Sequence, residues 1–360
     1  MDISEKMGLK MEFGGSVYLQ MMQQLSLIDS FKGNWNAIEL THSKHLKELR
    51  KIATIESIGS STRIEGATLS DAEVEKLLKS VKITTFKTRD EEEVVGYYEA
   101  LQIILDNYGE ITLSENYLHQ LHSLLLKHSS KDQRHKGSYK NLPNKVVANY
   151  PDGTQRTIFK TTEPHLTPVQ MQEVIDWTNQ RFTTKDIHPL ITIALFIYEF
   201  LSVHPYQDGN GRLSRLLTTL LMMQQDYKFI QYVSFENVIE TRKEEYYRAL
   251  MEGQKNRDTE AEKTDKWIVF FLDCMIILIK RLEAKYSTYS QLEKALNPRQ
   301  KTVLELIKEK KTAQINEIET ALTDYSRNTL KKDVAYLLNE GFLIKTGEGR
   351  AVRYHINTGK

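Results

Sequence analysis

Twelve consecutive residues, His204-Pro205-Tyr206-Gln207-Asp208-Gly209-Asn210-Gly211-Arg212-Leu213-Ser214-Arg215, gather the groups that phosphate chemistry needs. A histidine accepts a proton near neutral pH, so His204 suits the deprotonation of an incoming hydroxyl. Asp208 supplies a hard oxygen ligand of the kind that holds Mg2+ on phosphate oxygens. Gly209 and Gly211 lack Cβ atoms, which lets backbone N–H groups converge on an anion at a helix N-terminus. Arg212 and Arg215 lie three apart, so both can project from the first helical turn toward one phosphate chain. A capped loop held by Asp–Arg pairs would use some of the same residues. Base, metal ligand, anion nest and two arginines in one short stretch point instead to nucleotidyl or phosphoryl transfer.

Helices must position that loop. An apolar run, Leu190–Val203, precedes it and a second, Leu216–Met223, follows it. Upstream, Leu46–Ile58 and Val94–Leu105 carry apolar residues at three- and four-residue steps. Ser114 caps the amphipathic run Leu118–Leu126, and within Ser60–Leu69 Gly66 reads as a helix terminator. Composition changes at Gly137: Asn141–Pro168 holds four of the seven prolines, and Lys145–Tyr150 and Gln155–Phe159 flank Pro151-Asp152-Gly153-Thr154. That pattern reads as a hairpin or flap. An exposed strand edge there can take up an extended peptide, though an ordinary surface hairpin has the same pattern. Helical periodicity resumes at Thr167 and runs with breaks to about Tyr289, with Gly253–Thr264 as a polar loop. Trp267–Ile279, thirteen residues with Asp273 inside, is shorter than the ~20 a membrane span needs and reads as a buried helix.

The loop matches the signature HxFx[D/E]GNGRxxR of the Fic family at every position except Tyr206, where phenylalanine is usual. Tyrosine keeps the ring that would anchor the loop. The resemblance extends over about residues 50–250: Val94–Leu126 is similar to the helices before the family's flap, and Gly137–Pro168 takes the flap's place without the paired prolines of many relatives. It implies that His204 deprotonates a Ser, Thr or Tyr hydroxyl of a target protein, which attacks the α-phosphate of ATP and leaves AMP on the target. Asp208 would hold Mg2+, Asn210 with the amides of Gly209 and Gly211 would cradle the phosphates, Arg212 would add contacts, and Arg215 would meet the γ-phosphate. Ser61-Thr62-Arg63-Ile64-Glu65-Gly66 resembles the family's inhibitory [S/T]xxxE[G/N] motif, which implies that Glu65 occupies Arg215 and holds nucleotide unproductive. In some relatives the same glutamate serves removal of AMP, so de-adenylylation is the alternative activity. Self-modification and a homodimer are further implications of the resemblance.

After Asn297-Pro298 come helical patterns at Arg299–Lys310, Ile315–Leu322 and Arg327–Asn339, then Phe342–Ile344 and Val352–Ile356 around Gly347-Glu348-Gly349-Arg350. This is the order of a winged helix-turn-helix module. Residues 297–360 hold twelve Lys/Arg and eight Asp/Glu, a net of +4, so the remainder of a chain at +1 stands at −3. Arg327, Asn328, Lys331 and Lys332 on the recognition helix, with Arg350 and Arg353 on the wing, are candidate duplex DNA contacts. A protein-interaction module fits the same elements, and a DNA-binding regulator whose Fic core senses nucleotide or modifies itself is the alternative function.

The weaker features read blandly. His119 and His122 lack a further ligand cluster and read as a packed or surface pair. Met222 and Met223 read as core filling. One cysteine, Cys274, excludes an internal disulfide framework, and with no apolar leader at the start the expectation is a cytoplasmic protein. Near-neutral charge argues against a bulk polyanion binder. The expected architecture is mainly α: an N-terminal helical region 1–92 with the inhibitory segment 60–69, a Fic-type helical bundle 93–252 with a β-hairpin flap 141–168, a helical extension 253–296 and a winged helix (α+β) 297–360.

Overall fold

The computed structural model describes residues 3–41, 43–79, 86–149, 155–347, 349 and 352–357. The Pro151-Asp152-Gly153-Thr154 turn, Glu348 and Arg350 lie outside them. The chain divides into two compact units, Met1–Leu282 and Glu283–Lys360.

The first unit begins with helices α1 (Ile3–Lys10), α2 (Gly15–Thr41) and α3 (Ser43–Ile64). Gly66, at φ 109°, turns the chain out of α3 while Gly66 N–H and Ala67 N–H donate to the last-turn carbonyls of Arg63 and Thr62. Next come α4 (Asp71–Lys79), α5 (Arg89–Asn107) and α6 (Glu115–Leu125), the last two capped by Thr88 and Ser114 side chains. Gly96 permits the approach of α5 to α6, since a Cβ there would stand 2.1 Å from Leu125 O. Strands β1 (Lys145–Asn149) and β2 (Gln155–Lys160) pair antiparallel from Lys145↔Lys160 to Asn149↔Gln155.

Helices α7 (Thr167–Thr184), α8 (Pro189–Val203) and α9 (Asn210–Gln224) form the centre. PLITIALFIYEFLSV is apolar on nearly every face, so α8 is stable only when surrounded. It packs between α7 and α9, with Leu190, Ile193, Phe196 and Phe200 all at 0% exposure. Helices α10 (Phe235–Thr241) and α11 (Lys243–Gln254) follow, and α12 starts at Asp265 and runs to Ala295. No helix among the described residues is long and apolar enough to cross a membrane.

The loop after α11 differs from a plain solvated segment. Glu262 within it is 1% exposed and 2.9 Å from Lys10 of α1, itself buried. Lys10 also pairs with Glu199 of α8, and Arg257 reaches Glu199 at 3.2 Å and Glu262 at 3.5 Å. Two cations and two carboxylates satisfy one another there, which is what lets them be buried.

The second unit contains α13 (Pro298–Glu309), α14 (Ile315–Ala321), α15 (Arg327–Asn339) and the antiparallel pair β3 (Leu343–Thr346) and β4 (Arg353–Ile356). Asn297 and Gln300 form a reciprocal capping box at α13. Val303, Ile307, Ile318, Leu330, Val334, Leu337 and Leu343 make its own core, and Ala313 bridges to Tyr354 of β4.

Candidate functional site

His204 ends α8 in the left-handed conformation, φ 53°, so the chain turns sharply at this candidate side chain. Its Nδ1 lies 3.2 Å from Leu201 O. A carbonyl only accepts, so Nδ1 carries the proton and Nε2 keeps the lone pair. Burial and then the charge of Lys140 push the imidazole down to about 4, against the opposing effects of the Leu201 hydrogen bond, Glu65 and Asp208. The ring is therefore neutral at pH 7.

The loop beyond it is stitched to itself. Asn210 Oδ1 accepts from Tyr206 N–H at 2.9 Å and its Nδ2 donates to Tyr206 O at 2.7 Å. Both ends of that amide hold the loop's shape, so what Asn210 offers an anion is its backbone N–H. Gly209, at φ 80°, opens α9, and its N–H donates to Asp208 Oδ1 at 2.6 Å. Asp208 also receives Arg212 on Oδ1 and Arg89 on Oδ2, each at 3.4 Å. Burial works against its ionised form, but Arg212, the Gly209 N–H and Arg89 hold it below the usual carboxylate range. Arg212 is 2% exposed and 3.3 Å from Glu93, yet Nε and Nη1 make no hydrogen bond among the described residues. Buried donors left without a hydrogen bond are costly, and the Glu93 carboxylate beside Nη1 offsets part of that cost.

Arg215 lies one turn further and is held from α3. Its Nε donates to Ser61 Oγ at 2.8 Å, and its Nη2 donates to Ser61 O at 2.9 Å and to Glu65 Oε1 at 2.8 Å. Burial disfavours the charge on Glu65, but the charge and hydrogen bond of Arg215, with Arg212 behind it, hold the carboxyl below its usual value. The carboxylate rests on the first turn of α9: a Cβ at Gly211 would stand 2.1 Å from Glu65 Oε1. Glycine at 211 is required for that approach.

Residues 112–222 match the Fic/DOC family. The chain carries a Fic domain. It is 30% identical over 209 residues to the protein adenylyltransferase Fic of Drosophila willistoni, covering 57% of this chain and 39% of that protein. It is 27% identical over 194 residues to the protein adenylyltransferase fic-1 of Caenorhabditis elegans, 52% of this chain and 35% of the relative. These matches span well under half of each relative. A Fic family protein from Desulfovibrio desulfuricans G20 superposes with TM-score 0.63 at 21% identity over 98% of both chains. C. elegans Fic-1 gives TM-score 0.56 at 22% identity over 74% of this chain and 73% of that one. The structural likeness shows a shared fold.

Several residues bear on the Fic loop that its signature does not contain. His122 of α6 is buried, stacks on Tyr206 with centroids 3.8 Å apart, accepts from Gly137 N–H at Nδ1 and donates from Nε2 to Asp208 O. Burial pushes it down to about 4, the neutral state those two bonds require. Tyr206, 0% exposed, anchors the loop as its ring predicts, and its hydroxyl also meets His119 Nδ1 at 2.9 Å. The histidine pair thus props up the loop. Arg89 and Glu93 of α5 add a second layer, bridging to Asp208 and Arg212. The i,i+4 spacing of Arg89 and Glu93 is visible in the sequence; their partners, Asp208 in the loop and Arg212 on α9, are not.

In the second unit, Arg327, Asn328, Lys331 and Lys332 are all exposed on α15. Arg327 is engaged by Glu319 and by Asn316 Oδ1, and Arg353 lies 3.6 Å from Glu317.

Proposed function

We propose that this chain moves AMP from ATP to a Ser, Thr or Tyr hydroxyl of a target protein, and that Glu65 restrains the reaction. The observation that carries the reading is one loop and helix turn holding a neutral histidine, an acidic ligand and two buried arginines, with Glu65 seated on Gly211 against Arg215.

In the reaction, His204 Nε2 takes the proton of the target hydroxyl as its oxygen bonds to the α-phosphorus. The α-phosphorus–oxygen bond to the β-phosphate breaks and pyrophosphate leaves. Backbone N–H groups at the start of α9, with Arg212, meet the charge spread over the phosphoryl oxygens. Arg215 would hold the γ-phosphate once Glu65 withdraws. Among the described residues no group of three or more His, Cys, Asp or Glu could hold a metal ion alone. Asp208, about a third exposed and with long contacts to Arg89 and Arg212, fits the other mode, one carboxylate sharing Mg2+ with phosphate oxygens. Such an ion would neutralise phosphate charge. The β1–β2 hairpin would present the target by strand addition.

The test is transfer of label from α-labelled ATP to protein, the chain itself included. Glu65→Gly is expected to label at least tenfold more than wild type, and His204→Ala in that background to abolish labelling. Equal labelling by wild type and Glu65→Gly would remove the inhibitory role. A second activity, hydrolytic removal of AMP, is favoured by the ionised state of Glu65, the form able to orient and accept a proton from water. For the second unit we propose a winged helix that binds duplex DNA, because its surface helix carries Lys331 and Lys332 exposed on a basic module.

A further inference from the structure

The chain leaves α8 at His204 in a left-handed turn, so the carbonyls from Val203 to Tyr206 need partners from outside the helix. Residues at the stem of the hairpin meet all four. Lys140 Nζ donates to Val203 O at 2.9 Å, and the Lys140 backbone N–H donates to Pro205 O at 2.8 Å. Asn144 Nδ2 donates to His204 O at 3.3 Å and to Tyr206 O at 2.8 Å. The other two ammonium protons go to Asn144 Oδ1 and Thr161 Oγ1, both at 2.9 Å. The Thr161 hydroxyl donates back to Asn144. Asn144 immediately precedes β1 and Thr161 immediately follows β2. One joint therefore ties both strands of the hairpin to both sides of His204.

Lys140 is 3% exposed. An ammonium so deeply placed is tolerable when every donor is met, and here three acceptors meet three protons. Burial pushes its pKa down to about 8, against the charge of Glu163, so it remains mostly charged at neutral pH. The charged groups facing the His204 ring are this lysine from the hairpin stem, Glu65 from the end of α3 and Asp208 from the loop. Lys140 is the one that disfavours the imidazolium.

We propose that Lys140 and Asn144 are positioning residues which, through the carbonyls flanking His204, fix the direction of its imidazole and couple it to whatever segment the hairpin holds. This rests on reading His204 as the base. A segment added to the hairpin then bears on the same joint that aims Nε2, so target capture and alignment of the base become one event.

The experiment uses Lys140→Met, Lys140→Arg and Asn144→Ala in the full chain, each confirmed folded by thermal unfolding. Titration of the His204 ring by NMR needs no activity. Lys140→Met removes the cation beside the ring, so the ring pKa is expected to rise above about 4, with burial still holding it below its ordinary value of ~6.5. Asn144→Ala keeps that cation and is expected to leave the titration near the parent's. In the Glu65→Gly background, both are expected to cut turnover of labelled ATP by ~10–100-fold, since about 1 Å of misplacement costs on the order of that, with nucleotide affinity within ~2-fold. Lys140→Arg keeps the charge but its planar fork cannot point three donors from one centre, so it restores the titration and not the turnover. A folded Lys140→Met that titrates and turns over as its parent does would overturn the proposal. If Lys140→Met does not fold, Asn144→Ala decides on turnover. No labelling by the Glu65→Gly parent would instead count against the adenylyl-transfer reading, leaving the titration to judge the joint.

Discussion

At the scale of single residues, His204 owes its neutrality to burial before any partner, with Lys140 second. A histidine at its ordinary value of ~6.5 would lose half its base form on mild acidification; one near 4 does not. The turnover of Glu65→Gly is therefore expected to stay flat from pH 7 to pH 6, where the base remains unprotonated and Lys140 remains charged. A pH–rate profile checks this, and a loss of half the rate near 6.5 that tracks the ring's own titration would refute it. The same shift affects stability with a definite sign. The unfolded chain binds a proton at His204 as pH falls through ~6.5 while the folded chain does not, so the folded state loses stability between there and about 4. His122, also near 4, acts in the same direction. Glu65 acts in the same direction at lower pH: its carboxyl lies below the usual value, so its clamp on Arg215 is complete at neutral pH and weakens on acidification below the ordinary carboxylate range.

At the scale of elements, Glu65 is placed by the end of α3 and by what holds that end down. Arg63 grips Glu240 of α10 through two bonds of 2.7 and 3.0 Å, and also reaches Asp71 and Leu69 O. Lys243 of α11 donates to Ile64 O at 2.7 Å. Glu240→Ala leaves Glu65 intact but loosens its support. A part-buried pair of this kind is worth about 1 kcal/mol, so basal labelling is expected to rise roughly fivefold, less than in Glu65→Gly. No change on Glu240→Ala, with the variant folded, would show that the hold of Arg215 on Glu65 suffices without that support. This layer was not legible beforehand, and the reason is physical. The loop at 204–215 announces itself because glycines, an acid and arginines of special type stand at fixed short spacings. Gly66 and Ser114 mark helix ends by local backbone chemistry, and the hairpin shows in its β-prone runs. Lys140, Glu240 and Lys243 are ordinary residues that each reach a partner 63 to 179 positions away in sequence. Nothing in their local pattern distinguishes them from solvated charges. Asn210 shows the converse, a motif residue whose type was visible but whose side chain serves the loop's own backbone.

At the scale of the whole molecule, charge is divided as the elements are. The chain sums to +1, with +4 in residues 297–360 and −3 before them. Within the basic module the candidate donors are not equivalent. Arg327 is held by Glu319 and Asn316, and Arg353 stands near Glu317, so part of their charge is spent inside the module. Lys331 and Lys332 are exposed on the same helix, which makes them the donors best placed for phosphate oxygens. Binding through phosphates releases counterions, so affinity falls with salt by a log–log slope of about 0.9 per contact. If the module binds duplex DNA, the double change Lys331→Glu, Lys332→Glu should weaken retention uniformly across sequences and flatten that slope by about 1.8 units. Arg327→Ala should matter less, because it also removes a contact that Glu319 already satisfies. Retention of the full chain on duplex DNA, followed across salt concentrations, separates these outcomes. If wild type is not retained at ~50 mM salt, where phosphate contacts are strongest, the basic face meets a protein surface instead.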